Sequence, residues 1–233
     1  MIQKNIKETQ EKIRQACIRS GRTEEEVTLI AVSKTKPISM IEEAYAAGMR
    51  QFGENKPQEM RDKAKIFSSP VNWHMIGSLQ TNKIKYVVGT ACMIHSVDSL
   101  SLAYAINKEA IKKELIMDIL LEVNVAAEES KHGFSPEEIL SVVQELAALS
   151  NIRLRGLMTV APYTENAEEN RIYFRKMKEI LFDINAKNID NVFMDCLSMG
   201  MSSDYEVAIE EGATMVRIGT GIFGERDYSN SNG

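Results

Sequence analysis

The chain has 233 residues, 44% hydrophobic and 26% charged, with a formal net charge of -5 and a pI near 5.4. That is an ordinary globular mix. Its acidic balance argues against a nucleic-acid partner, which usually shows as a basic excess. No apolar run approaches the 18 or so residues that a membrane span needs.

A chain of this length buries roughly 70% of its unfolded surface, so it needs no disulfide or metal staple. Cys17, Cys92 and Cys196 are far apart and none has CxxC spacing. They read as free thiols in a reducing cytosol, so a cytoplasmic location is expected. The N-terminal stretch MIQKNIKETQEKIRQ is charged and amphipathic, lacks an apolar h-region and is not a signal peptide.

In chain order, a helix is expected over about 2–20, followed by a strand at 27–33 (VTLIAVS) that ends in Lys34, Lys36 and Pro37. A helix from Ser39 to Ala47 stops at Gly48, and strand-like runs follow at 50–54 (RQFGE), 72–77 (NWHMIG), 92–97 (CMIHSV) and 118–125 (DILLEVNV). Residues 136–149 place Ile139, Val142, Val143, Leu146 and Leu149 on one helical face, with Ser135 and Pro136 suited to its start. A run at 153–161 (RLRGLMTVA) precedes a helix over 165–187 with Ile172, Phe174, Met177, Ile180 and Leu181 at similar spacing. Runs at 192–198 (VFMDCLS) and 214–219 (TMVRIG) flank a helix from Ser203 to Glu211 that stops at Gly212. The tail DYSNSNG is polar and expected to fray.

The runs are rich in Val, Ile and Leu with little alternation, as strands of a parallel sheet are when covered on both faces. Strand and helix alternating eight times point to an α/β fold, a single (β/α)₈ barrel of TIM type with an extra N-terminal helix. A doubly wound open sheet is the alternative.

The active face of such a barrel is built from the C-terminal strand ends. Here those ends carry Lys34, Glu54 and Asn55, Gly77 and Ser78, Val97 and Asp98, Asn124, Met158 and Thr159, Ser198 to Gly200, and Gly219 and Thr220. The last two loops, SMGMSSD and GTGIFG, are rich in hydroxyl and glycine residues and suit a phosphate. GTGIFG also matches GxGxxG, but no further strand and acid follow it, so a dinucleotide site is rejected.

A lysine at a barrel mouth can form a Schiff base, and a lysine with a phosphate site describes pyridoxal phosphate as well as sugar phosphates. Spacing alone does not choose between Lys34 and Lys36. Arg217 shares a strand face with Gly219 and could approach a pyridoxal ring nitrogen, whose protonation a permanent cation would discourage. Pairing of Arg217 with a carboxylate is the competing reading. His74 and His95 read as core residues, and no spacing of His74, His95 and His132 suggests a metal.

The blocks AVSKTKP, FGEN, WHMIGSLQTNK, VNVAAEESKHGF, GLMTVAP and LSMGMSSDYEVAIEEGATMVRIGTGIFGERDY, in this order, resemble the pyridoxal phosphate homeostasis proteins. These are also called the proline synthetase co-transcribed homologue family. The resemblance implies a barrel of the alanine racemase N-terminal type, a fold-type III pyridoxal phosphate site spanning the single domain 1–233. It implies that Lys34 carries the Schiff base and that Arg217 faces the ring nitrogen. Phosphate contacts would come from Ser198 (or Ser202 in its place), from the backbone of Met199, Gly200 and Met201, and from Gly219 and Thr220. Asn55 and Met158 would lie beside the ring. The chain departs from the family's frequent Tyr-Val after FGEN, having Lys56 and Pro57.

Alanine racemases of this fold carry a second, β-rich domain that supplies a catalytic tyrosine, whereas this chain ends at Gly233 soon after the eighth expected strand. One face of a two-base site is therefore expected to be missing. The expectation is a monomeric pyridoxal phosphate-binding protein acting in homeostasis, not an enzyme. It would buffer the cofactor or deliver it to pyridoxal phosphate-dependent apo-enzymes. A racemase-like enzyme and a Schiff-base aldolase are the alternatives.

Overall fold

The computed structural model describes residues 1–128, 131–192 and 194–225, so the tail from 227 lies outside the described residues. Helix α1 (Ile2–Arg19) precedes a barrel of strands β1 (Thr28–Val32), β2 (Gln51–Glu54), β3 (Asn72–Met75), β4 (Met93–Val97), β5 (Met117–Glu122), β6 (Ile152–Met158), β7 (Cys196–Ser198) and β8 (Met215–Ile218). All pairings are parallel, and the sheet closes in the order β1 through β8. The barrel expectation holds and the open sheet is excluded.

The connecting helices are α2 (Ile38–Ala46), α3 (Pro57–Ile66), α4 (Leu100–Lys112), α5 (Ile139–Leu146), α6 (Arg171–Asn185), α7 (Tyr205–Glu210) and α8 (Thr220–Phe223). Pro57 sits at the first position of α3, where its missing N–H costs nothing. The alternation breaks once. Between β3 and β4 the chain makes a 3₁₀ turn, Thr81–Tyr86, rather than an α-helix, and Ile84, Val87 and Val88 are buried there. Ile172 also departs from expectation. It is 64% exposed, because it lies five residues and hence about 140° of helical rotation from Met177. Phe174, Met177 and Ile180 face the core as expected.

Two apolar cores result. One lies between the strands and the outer helices, and α1 joins it through Ile2, Ile6, Ile13, Ala16 and Cys17. Outside β2 and β3, Trp73 packs against Phe52 and Phe67 with ring centroids 5.8 and 6.5 Å apart. A second core, of Met93, Leu120, Met158 and Cys196, is built from β4, β5, β6 and β7. Among the described residues no helix is long and apolar enough to cross a membrane.

Candidate functional site

The C-terminal ends of the strands surround a cavity of about 440 Å³, within the range of small-molecule sites. Lys34, Asn55, Met201, Arg217, Gly219 and Thr220 line it, so the structure brings six of the ten expected residues together. Lys36, Ser202 and Ser203 line it as well.

Lys34 lies two residues beyond the end of β1, half-buried, at the start of a constrained turn. Thr35 has φ +64°, a left-handed conformation that a β-branched residue rarely adopts. Its N–H donates to Glu59 Oε1 at 2.6 Å, and Glu59 accepts from Lys63 Nζ at 2.7 Å. The Lys63 ammonium also donates to the carbonyl of Ser33 at 2.7 Å and to Glu54 Oε1 at 2.8 Å. The residues before and after Lys34 are thus held by one buried cation. Glu54, expected at the mouth, is fully buried in this cluster. Burial raises its carboxyl above the ordinary value, while Lys63 opposes the shift.

Lys36 is engaged with the backbone. Its Nζ donates to the carbonyls of Phe223, Gly224 and Glu225 at 3.1–3.3 Å, tying the end of α8 to the cavity wall.

Arg217 is 4% exposed. Its Nη1 donates to Ser198 Oγ at 2.6 Å and its Nη2 to the Thr159 carbonyl at 2.8 Å. Burial pushes the guanidinium down to about 10, with Asp204 and Glu122 opposing. The competing carboxylate pair is not what holds it, since both hydrogen-bond partners found among the described residues are uncharged. Burial and Asp98 raise the Glu122 carboxyl, and Arg217 opposes that shift.

Asn55 presents a buried Oδ1 that has no hydrogen-bond partner among the described residues. Gly77 packs against its backbone so closely that an added Cβ would lie 2.5 Å from the Asn55 carbonyl oxygen.

Four expected residues lie elsewhere. Met158 points into the inner core, against Met93, Leu120 and Cys196. Ser198 is still within β7, fully buried, and its hydroxyl is engaged by Arg217 and His95. Met199 is buried in the outer core, and Gly200 offers its carbonyl to the Arg217 N–H. The Met201 amide is also spent, donating to Asp204 Oδ1 at 2.7 Å. The hydroxyls at the cavity are those beyond the strand end, Ser202 and Ser203. The Gly221 N–H donates to Ser202 Oγ at 3.4 Å and joins the two loops. The signal was available, because alternation along the strand commits Ser198 to the barrel interior with Cys196, two residues before it, and leaves the loop serines at the mouth.

Fold and site define a (β/α)₈ barrel with a lysine after the first strand, an arginine on the eighth and hydroxyl-bearing loops between. The alanine racemase N-terminal domain family matches residues 3–227. The chain belongs to the pyridoxal phosphate homeostasis protein family. It is 47% identical over 219 residues to the pyridoxal phosphate homeostasis protein of Aquifex aeolicus strain VF5, covering 94% of this chain and 95% of that one. The structure of PipY from Synechococcus elongatus PCC7942 with pyridoxal phosphate (PLP) bound is 36% identical, with a TM-score of 0.80 over 91% of this chain and 98% of that one. An alanine racemase from Clostridium difficile 630 shares the fold alone, at 15% identity and a TM-score of 0.73, and this chain covers 58% of its length.

Proposed function

We propose that this protein binds pyridoxal 5'-phosphate as a Schiff base on Lys34 and acts in the cofactor's homeostasis, buffering it or delivering it to apo-enzymes, with little or no catalysis. The observation that carries this reading is one cavity that joins the Lys34 amine, the buried Arg217 guanidinium and the Ser202, Ser203, Gly219 and Thr220 wall. The residues fit the ligand's chemistry. An amine suits its aldehyde, hydroxyl and backbone groups suit its phosphate, and the partnerless Asn55 Oδ1 offers an acceptor beside its ring. The PLP bound in PipY and the name of the Aquifex relative support the assignment.

Lys34 would hold the group through its amine, and the aldehyde is the chemistry the cofactor would supply there. Arg217 would stand at the ring, and the serine-bearing loop would neutralise nothing but bind the phosphate by hydrogen bonds. Among the described residues that line the cavity, none is a tyrosine, histidine, aspartate or glutamate. Apart from Lys34, the one amine among those described lining residues is Lys36, whose Nζ donates to three backbone carbonyls, and that engagement favours holding over turnover. Free Cys17, Cys92 and Cys196 suit a reducing cytoplasm. Large exposed apolar side chains such as Ile18, Ile66, Ile111 and Phe182 sit on four different helices, which favours a monomer.

The test is an absorbance spectrum after addition of PLP. The wild type is expected to show the visible band of a Schiff-base-linked pyridoxal, and Lys34→Ala is expected to lose it. A wild type that takes up no PLP at micromolar concentrations overturns the function. A Lys34→Ala protein that keeps the band overturns the attachment site. Amino-acid turnover above about 1 s⁻¹ would instead place the protein among ordinary enzymes.

A further inference from the structure

Arg217 stands at one end of a chain of buried hydrogen bonds that crosses the barrel interior. Ser198 Oγ lies 2.9 Å from His95 Nδ1, His95 Nε2 lies 3.0 Å from His74 Nδ1, and His74 Nε2 lies 2.8 Å from Gln51 Oε1. Strands β8, β7, β4, β3 and β2 contribute one member each.

The direction of donation follows from the arginine. A guanidinium has donors and no acceptor, so Ser198 must accept from it. The Ser198 proton then needs an acceptor, because a fully buried hydroxyl left without one carries an unrepaid desolvation cost. His95 Nδ1 is that acceptor, which puts the His95 proton on Nε2 and directs it to His74 Nδ1. By the same step the His74 proton sits on Nε2 and goes to Gln51 Oε1. Every bond donates away from the mouth, and both imidazoles are neutral Nε2–H tautomers. Protonating His95 would make its Nδ1 a donor and send two donors to Ser198. Burial agrees with neutrality. It pushes His74 down to about 4 and His95 well below its ordinary value, with the His74 ring and Arg217 adding to the latter.

We infer that His95 and His74 are positioning residues for Arg217: they fix Ser198 as an acceptor and hold the guanidinium by dipoles rather than by a counter-charge. This deepens, and rests on, the PLP reading above. An arginine held by neutral groups keeps its full charge for the cavity it lines, and a ring nitrogen beside it resists protonation. The carboxylates whose charges reach Arg217, Glu122 at the end of β5 and Asp204 before α7, act at a distance rather than as hydrogen-bond partners.

Two measurements test this. The first is ¹⁵N NMR of the histidine rings in the purified protein without added ligand. Two histidines should show the neutral Nε2–H pattern at pH 6, and His95→Phe should shift the His74 signals and the Arg217 Nη signals together. Nδ1–H tautomers or charged rings at pH 6 overturn the relay, whatever the protein binds. The second uses the PLP-loaded protein. Ser198→Asp supplies the missing counter-charge, so the pH midpoint of the visible band should rise by about one unit, while Ser198→Thr, which keeps the hydroxyl, should track the wild type. His95→Phe should weaken PLP binding about tenfold, the equivalent of ~1.4 kcal/mol. A band insensitive to Ser198→Asp and a His95→Phe affinity equal to wild type overturn the positioning role. A relay seen by NMR in a wild type that binds no PLP would overturn the PLP reading and the ligand-directed role, and leave the hydrogen-bond direction standing.

Discussion

Lys63→Met is expected to cost about 3–5 kcal/mol of stability, the usual price of leaving a buried charge without its partner. Lys63 is 7% exposed and its three donors meet Ser33, Glu54 and Glu59. Glu54 is fully buried and one of its oxygens, Oε2, already lacks a hydrogen bond among the described residues. Removing the ammonium leaves Glu54 with the Ser33 hydroxyl, which donates at 2.5 Å. Urea unfolding reads the loss. The double variant Lys63→Met, Glu54→Gln should regain part of it, because removing both charges is far less costly than removing one.

The pH dependence of that loss has a definite sign. Burial already raises the Glu54 carboxyl above its unfolded value of 4.5, and Lys63 is the chief opposing influence. Without Lys63 the folded protein holds the Glu54 proton to higher pH than the unfolded chain does. The folded state then binds more protons above 4.5, so its stability falls as pH rises. The defect should be larger at pH 8 than at pH 5. An equal loss at both would show that the carboxylate is not its source. The same variant frees Glu59 and the Thr35 turn, so PLP uptake at Lys34 should fall even where the protein is still folded.

Gly156→Ala should be at least as damaging, with a loss beyond about 4 kcal/mol, the range reserved for a named structural collision. A Cβ built on Gly156 would stand 1.8 Å from the carbonyl oxygen of Cys196 and 2.7 Å from its carbon. Those are backbone atoms of the neighbouring strand, so no side-chain rotation relieves the clash. Gly156 is paired with Cys196 at the start of β7, a strand of 3 residues joined to β8 at one register position, Ser198 with Met215. Moving β7 opens the barrel where it is narrowest in hydrogen bonds and displaces Ser198 from Arg217. Urea unfolding and the near-ultraviolet circular dichroism of the variant measure it, and a transition within 1 kcal/mol of wild type would refute the collision.

The barrel was legible because its strands are short apolar runs, covered on both faces, whose ends carry a lysine, glycines and hydroxyls. Lys34, Arg217, Gly219 and Thr220 stand where strand order alone would put them. What the chain hid were partnerships between distant positions. His95 meets Ser198 across 103 residues, and no period of 2 or 3.6 encodes that distance. One trace was present: His74, His95, Ser198 and Arg217 are polar side chains in strands that otherwise read as buried, and such groups must satisfy one another. Lys63 was hidden for a different reason. With Glu59 four residues before it, it reads as a solvated helix pair, and only the packing of α3 on β2 brings Glu54 under it. His74 also has a thiol nearby, that of Cys92 at 3.5 Å from its Nε2.

The aromatic packing outside β2 and β3 has an optical use. Trp73 is the single tryptophan of the chain, 5% exposed, and precedes His74 on the same strand. Its indole sits in the outer core with Phe52 and Phe67, away from the residues that line the cavity, so a bound ligand would quench its emission across the wall rather than by touching it. A pyridoxal chromophore absorbs where indole emits, so PLP bound in the barrel is expected to accept energy from Trp73. The chain therefore carries a single built-in donor fluorophore, and if it hands PLP to a recipient enzyme as proposed above, that transfer would be read without a label as the recovery of tryptophan light.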